Sequence, residues 1–522
     1  MDIQNFSALF NTPARREAFL KLIKDNKTKH IFIQGLEGSS IALFFSNLLE
    51  HKQAHIIIAN DLDEAGYLYN DLVQINGNDH ILLFPSGYKR DIKYGQPDPP
   101  SEILRTEVLN RLCQKGESLL IVTYPEAIAE KVVPVNMLSE QTLHIDKNSK
   151  CDIITLSDKL RERGFEEVDY VYEPGQFAVR GSILDVFSYT NELPYRIDFF
   201  GKEVESIRTF EVETQLSTGK LEEVYIVANV CGQEASGISI LDFIDKNTIL
   251  ICHNLSWVID RISAIASESL SEQTLIAEEG DRYAMQKIID VTAFQKKITT
   301  FRRIDYGANS EANTPAVIRF NCAPQGVYHK NFDLVSQSFS QFIEKGYTLY
   351  ILSDSEKQIE RLQAIFEERG DSISFTPVLK TLHEGFIDND LKIGCFTDHQ
   401  IFDRFHKYTL KSEHARSGKL ALSLKELNQI EVGDYIVHVD HGIGRFGGLI
   451  HTEINGKMQE VIKLTYQNDD IIFVSIHALH KLAKYRAKEG EAPRINKLGS
   501  GAWERMKEKT KGKMKELSLI HI

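Results

Sequence analysis

The sequence predicts a multidomain α/β protein. It comprises a core of the P-loop nucleotide-binding type, an α+β domain inserted into that core, a further α/β domain, and a small antiparallel β-barrel towards the C-terminus. Three observations predict this. A chain of 522 residues is too long for one core and suggests three or four domains, at ~150 residues per domain. Residues 29–34 read as a short apolar strand, followed by the glycine turn Gly35-Leu36-Glu37-Gly38-Ser39-Ser40 and an amphipathic helix over 41–50, the layout of a phosphate-binding loop. Residues 432–449 mix β-branched and aromatic residues around Gly442 and Gly444, which reads as two strands about a glycine corner.

In order, the expected domains are 1–129 (core, first part), 130–225 (insert), 226–325 (core, second part), 326–415 (further α/β domain), 425–496 (barrel) and 497–522 (start of a basic helix). Residues 119–123 form a strand of the core. In the insert, 152–165 read as a strand followed by a helix ending at Gly164, and then strands at 168–172, 176–187, 195–200 and 204–211, with Gly201-Lys202 a tight hairpin. A strand at 248–252 and a helix at 257–267 continue the core. The further domain shows helices over 332–345 and 355–369 around a strand at 348–352, and 411–418 is a polar linker. In the barrel, strands at 461–466 and 471–474 flank the turn Gln467-Asn468-Asp469-Asp470.

Composition excludes several classes. Hydrophobic residues at 42% and charged residues at 26% suit a globular chain rather than a disordered one. The six cysteines lack C-x-x-C spacing, which implies buried thiols in a reducing compartment and no zinc site. The start Met1-Asp2-Ile3-Gln4 is not a signal peptide, and no apolar run reaches membrane-spanning length, so a cytoplasmic protein is expected; a monomer is expected as well. The net charge of −13 divides into +7 over residues 481–522 and −20 over the rest. That acidic bulk favours protein partners over broad DNA binding, and leaves DNA contacts to the basic tail.

The phosphate-binding loop is degenerate. A working loop places Lys on the β/γ phosphates and Ser or Thr on Mg²⁺, but in register with Gly35 and Gly38 those places hold Ile41 and Ala42. No nucleotide cofactor is expected. Asp354, Asp388, Asp390 and Asp398 raise the possibility of an acidic metal site, but scattered loop positions favour solvated caps and turns.

The run His438, His441-Gly442-Ile443-Gly444-Arg445-Phe446, with Leu464-Thr465-Tyr466, Lys497-Leu498-Gly499 and Ala502-Trp503, resembles the RNA polymerase-interacting domain of the bacterial transcription-repair coupling factors (Mfd). That domain is a Tudor-like module shared with the CarD regulators. The resemblance implies that the module grips the polymerase β subunit by edge-strand addition. The matching edge is Arg445 to Glu453, including Phe446, Leu449, Ile450 and Thr452. Without these motifs a generic SH3-like barrel would be the simpler reading. His438 and His441 read as strand and turn histidines rather than a metal pair.

The N-terminal core resembles that of UvrB, the damage-verifying helicase of excision repair. Where that family places its acidic Asp-Glu pair, this chain has His253 and Asn254, and too few residues follow 119–123 for the family's DNA-inserting hairpin. Both losses imply a scaffold descended from an ATPase.

The runs Gly175-Gln176-Phe177-Ala178-Val179-Arg180-Gly181, Asp185-Val186-Phe187 and Arg196-Ile197-Asp198-Phe199-Phe200-Gly201 resemble the UvrA-binding domain shared by UvrB and the coupling factors. The resemblance places Arg180, Arg196 and Phe200 at UvrA-contact positions. Strand alternation independently sets Phe200 on the polar face with Arg196. A surface pair of Arg196 with Asp198 or Glu203, contributing ~0–1 kcal/mol, is the competing reading.

In the family, a basic helix like that expected from Gly501 to about Glu516 leads to an ATP-driven DNA translocase, and the resemblance covers residues 1–516 without reaching that motor. The implied function is an adaptor in transcription-coupled nucleotide excision repair that binds without turning over ATP, its UvrA face unmasked. A UvrB-like helicase and a CarD-like regulator are the alternatives.

Overall fold

The computed structural model describes residues 1–25, 27–87, 99–114, 116–140, 142–147, 149–191, 193–212, 214–228, 237–275, 288–307, 316–404, 406, 432–438, 440–454, 457–475, 482–485, 495–498, 503 and 505. Cys231, the linker at 411–418 and nearly all of the expected basic helix lie outside the described residues. The chain forms two units, one of Met1–Leu143 with Asn229–Leu410, the other of His144–Ala228 with Lys411–Ile522.

The first unit is built on a seven-stranded parallel sheet. Its spatial order is Ala316–Arg319, His30–Gln34, Arg302–Gly307, Ile249–Cys252, Ala54–Ile58, Leu119–Thr123 and Ile81–Leu83. Strands such as Leu119–Thr123 and Ile249–Cys252 are apolar on both faces because helices cover both sides of a parallel sheet. The glycine turn leads into the α-helix Ser40–Phe45 and a 3-10 turn, Ser46–Glu50. This segment differs from the expected amphipathic helix: Ala42, Leu43, Phe44, Phe45 and Leu48 are all buried. The N-terminal helices Ile3–Phe10 and Pro13–Lys24 explain that, since Phe19 and Phe44 meet at 4.5 Å and Phe44 lies edge-on to Phe320 at 4.8 Å.

A five-stranded mixed sheet completes this unit, in the order Cys322–Pro324, Phe386–Asp388, Ile393–Thr397, Thr348–Leu352 and Thr376–Val378. Helices Phe332–Glu344 and Glu356–Glu368 bury Phe339, Leu362 and Phe366 against it. Two of the four aspartates are not solvated, contrary to expectation. Asp388 is fully buried and takes both Arg15 Nη atoms at 2.6 and 3.3 Å, while Asp398 is buried with Ser353 and Arg404 as donors. Among the described cysteines Cys252 and Cys395 are buried but Cys113 is exposed, a second departure.

In the second unit the segment 144–228 carries a six-stranded sheet ordered Ser217–Leu221, Glu203–Phe210, Tyr195–Phe200, Ile183–Val186, Gln176–Arg180 and Glu166–Glu167. Three expectations need correction here. No strand begins at 152: Asp152 Oδ1 accepts from the Ile154 amide at 3.0 Å and caps the helix Ile153–Glu162. The expected strand at 176–187 is two strands, because Gly181 at φ +64° turns the chain into a hairpin. Residues 168–172 are irregular, and Gln176 Oε1 accepts from the Tyr172 and Glu173 amides at 2.9 and 3.0 Å, taking the place of a ladder partner.

The same unit holds a five-stranded antiparallel sheet ordered Ile471–Ser475, Lys457–Thr465, Gly442–Ile454, Tyr435–His438 and Leu482–Lys484. Ile436, Phe446, Ile462, Leu464 and Val474 form its core. Gly444 is needed for close approach, since a Cβ there would sit 3.1 Å from the Tyr466 ring.

Candidate docking faces and the glycine loop

The glycine loop is closed by protein. Gly35 donates to Gly307 O at 3.2 Å, Ser39 N to Glu384 O at 3.1 Å, Ser40 N to Glu37 O at 3.2 Å and Ile41 N to Gly38 O at 3.3 Å. The Ser39 hydroxyl donates to buried Asp71 and accepts the Glu384 amide at 2.9 Å, and Asp71 also accepts the His383 amide at 2.8 Å. In a phosphate-binding loop, amides of this kind point at the anion; here several of them are engaged. Burial pushes the Asp71 carboxyl up to about 7, and burial followed by the charge of Glu37 raises that of Glu384. These carboxylates, with half-buried Ile41 and fully buried Ala42 in the following helix, make a poor setting for a polyanion.

His253 and Asn254 follow the strand Ile249–Cys252 and are both exposed. Asn254 Oδ1 accepts the Trp257 amide at 3.1 Å, a helix-capping contact, and His253 stands edge-on to Tyr306 at 5.5 Å. After Leu119–Thr123 the chain enters the short helix Pro125–Ala129 and no hairpin intervenes. Among the described residues no group of three His, Cys, Asp or Glu side chains could hold a metal ion, and no helix is long and apolar enough to cross a membrane.

The three residues of the insert share one sheet face. The register pairs Arg180 with Ile183, Asp185 with Arg196, Ile183 with Asp198 and Arg196 with Arg208, and directly paired residues point the same way. Phe200, in Tyr195–Phe200 on that face, is 79% exposed, while Tyr195, Ile197 and Phe199 are buried beneath. Arg196 does not pair with Asp198 or Glu203. Its Nε and Nη2 form a fork on Asp185 at 2.7 and 2.9 Å, its Nη1 reaches Gln215 O at 3.0 Å, and its plane lies 4.4 Å from the Phe210 ring. Its hydrogen bonds to the Asp185 carboxylate raise the Arg196 pKa further, against burial. Arg180 also donates to Asp185 and lies 4.8 Å over the Tyr170 ring. Asp198 is taken by Arg208 and Ser206. In the sequence Asp185 stands out only as part of the Asp185-Val186-Phe187 motif, and its register opposite Arg196 is what singles it out.

In the small sheet, Gly442–Ile454 pairs with Tyr435–His438 from Gly442 to Arg445 and with Lys457–Thr465 from Arg445 onward, so the two partners overlap only at Arg445. From Leu449 to Ile454 it pairs with Lys457–Thr465 on one side, including Thr452 with Gln459 and Glu453 with Met458, and no described strand lies on the other. A bulge after Phe446, with Gly448 at φ +92°, separates the two halves. Arg445 is exposed and lies 5.3 Å over Tyr435, whereas the Phe446 side chain is 5% exposed and belongs to the core. Leu449 and Ile450 are half-buried. His438 sits in a strand with Nδ1 accepting the Asp440 amide at 3.0 Å, and His441 in the adjoining turn.

The two regions define a class: an α/β protein in which a UvrB interaction domain, matched by residues 143–230, is joined to a CarD-like/TRCF RID domain, matched by residues 430–486. The chain is similar to the transcription-repair-coupling factor of Staphylococcus aureus strain MRSA252, 24% identical over 93% of this chain and 48% of that protein. It is likewise similar to that of Staphylococcus epidermidis, 23% identical over 94% of this chain and 48% of the relative. The chain spans about half the length of these relatives, and the matches support the resemblance to the N-terminal part of a coupling factor.

Proposed function

We propose that these residues are the docking part of a factor that couples transcription to nucleotide excision repair, holding the RNA polymerase β subunit through the small sheet and recruiting UvrA through the insert. The observation that carries this is Phe200, an aromatic ring 79% exposed on a face of arginines. Aromatic and arginine side chains dominate binding hot spots, where truncation typically costs ~2 kcal/mol or more. The one-sided pairing of Leu449 to Ile454 supports strand addition by a polymerase segment. The likeness to coupling factors over nearly the whole chain supports combining the two.

The closed glycine loop supports binding without nucleotide turnover at this core, and disfavours the helicase reading. Titrating the purified 522-residue chain with UvrA, with the polymerase β subunit and with a fluorescent ATP analogue tests the proposal. Saturable binding of both proteins and none of the nucleotide is expected. A chain that ignores both proteins, or whose loop takes up ATP, contradicts it.

A further inference from the structure

We infer that Asp185 is a positioning residue of the insert's docking face, a buried carboxylate that presents Arg180 and Arg196 in fixed geometry to an acidic partner surface. The inference rests on the docking reading above. Asp185 is 0% exposed and central in the sheet, on the strand Ile183–Val186 between those of the two arginines. Arg196 grips it bidentately and Arg180 joins from the other side.

One guanidinium would neutralise the carboxylate; two leave a surplus positive charge. A burial requirement alone explains one arginine, not the second, whose side chain remains 34% exposed. Both side chains are also braced by rings, Tyr170 and Phe210. An arginine side chain has many rotamers to lose, so freezing it before the partner arrives removes part of the ordering cost of binding. On the same face Arg208 stands beside Arg196 and exposed Lys220 beside Arg208. Of the carboxylates on this face, Asp185 and Asp198 are already taken by arginines, and exposed Glu203 opposite Phe200 and Glu166 on the outermost strand lie towards its ends, so the cations gather around Asp185 and Asp198. The matching surface is one bearing carboxylates, with an apolar socket for Phe200.

The test compares Asp185→Asn, Arg196→Lys, the double variant and Phe200→Ala in the 522-residue chain. UvrA is the titrant, and polymerase β binding together with circular dichroism report the fold. Asp185→Asn and Arg196→Lys should each weaken UvrA binding tenfold or more, chiefly through faster dissociation. The double variant should be little worse than either, because fork and carboxylate act as one unit. Polymerase binding should stay within twofold. If both single variants bind UvrA like the parent while Phe200→Ala does not, the positioning inference falls and the docking reading stands; if Phe200→Ala also binds, the docking reading falls. Additive losses in the double variant overturn the inference as well. Should Asp185→Asn fail to fold, Asp185→Glu decides, since it keeps the buried charge and both guanidinium groups and shifts only the carboxylate that holds them: a UvrA affinity equal to the parent's overturns the inference.

Discussion

Asp71 shows how a single buried group ties the glycine loop to the segment that closes it. Its carboxylate accepts from Ser39 and from the His383 amide, and burial pushes its pKa up to about 7 from an ordinary value near 3.8. Between these values the native state holds a proton that the unfolded chain has released. This group's contribution is therefore fully present below about pH 4 and is lost as pH rises through 7. Asp71→Asn should consequently raise the melting temperature at pH 8 more than at pH 5, a difference readable by calorimetry at the two values. Equal shifts would contradict the assignment. Phe200 makes the opposite case, since it packs on little of its own chain. Phe200→Ala should leave the urea midpoint unchanged while reducing UvrA affinity at least tenfold.

Backbone geometry decides the outcome at the scale of elements. Gly35, at φ +81°, has the Phe320 carbonyl oxygen 2.1 Å from where a Cβ would lie. Gly35→Ala should therefore lose more than about 2 kcal/mol of stability in urea unfolding, combining strained φ with a backbone clash. In the small sheet the alternation places Phe446 in the core and leaves Leu449 and Ile450 half-buried beside the one-sided edge. Ile450→Asp should weaken polymerase β binding without affecting UvrA, in a paired titration. Phe446→Ala should act instead through stability, at the ~3–5 kcal/mol typical of an emptied aromatic site. Most elements were legible in the sequence because apolar runs and glycine punctuation are local signals. The strand at 195–200 and the hairpin at Gly201 emerged as read, and the helix expected over 332–345 spans Phe332–Glu344. The helix cap at Asp152 and the hairpin hidden within 176–187 were not, because β-branched and alternating residues fit either conformation until a partner strand chooses.

For the molecule as a whole, the two docking regions should be separable by mutation. Replacing Arg196 and Phe200 together by Ala should abolish UvrA binding and preserve that of the polymerase β subunit, and the parent chain should hold both proteins in one complex by size-exclusion chromatography. Loss of both activities would indicate collapse of the fold rather than of one face.

By itself, the sequence determined the succession of glycine turn, insert and small β-rich segment along the chain, the residues standing at the lost nucleotide positions, and the candidates Arg180, Arg196, Phe200 and Arg445. The nucleotide positions follow from spacing and the placing of Phe200 beside Arg196 from alternation, while Arg180 and Arg445 follow from the family resemblance. Only the tertiary structure decided that the glycine loop faces Glu384 and Asp71, that Asp185 pairs with both arginines, and that Phe446 is core. Each is a contact between residues that share no local period, so burial and charge pairing select the partner only once the sheets have formed.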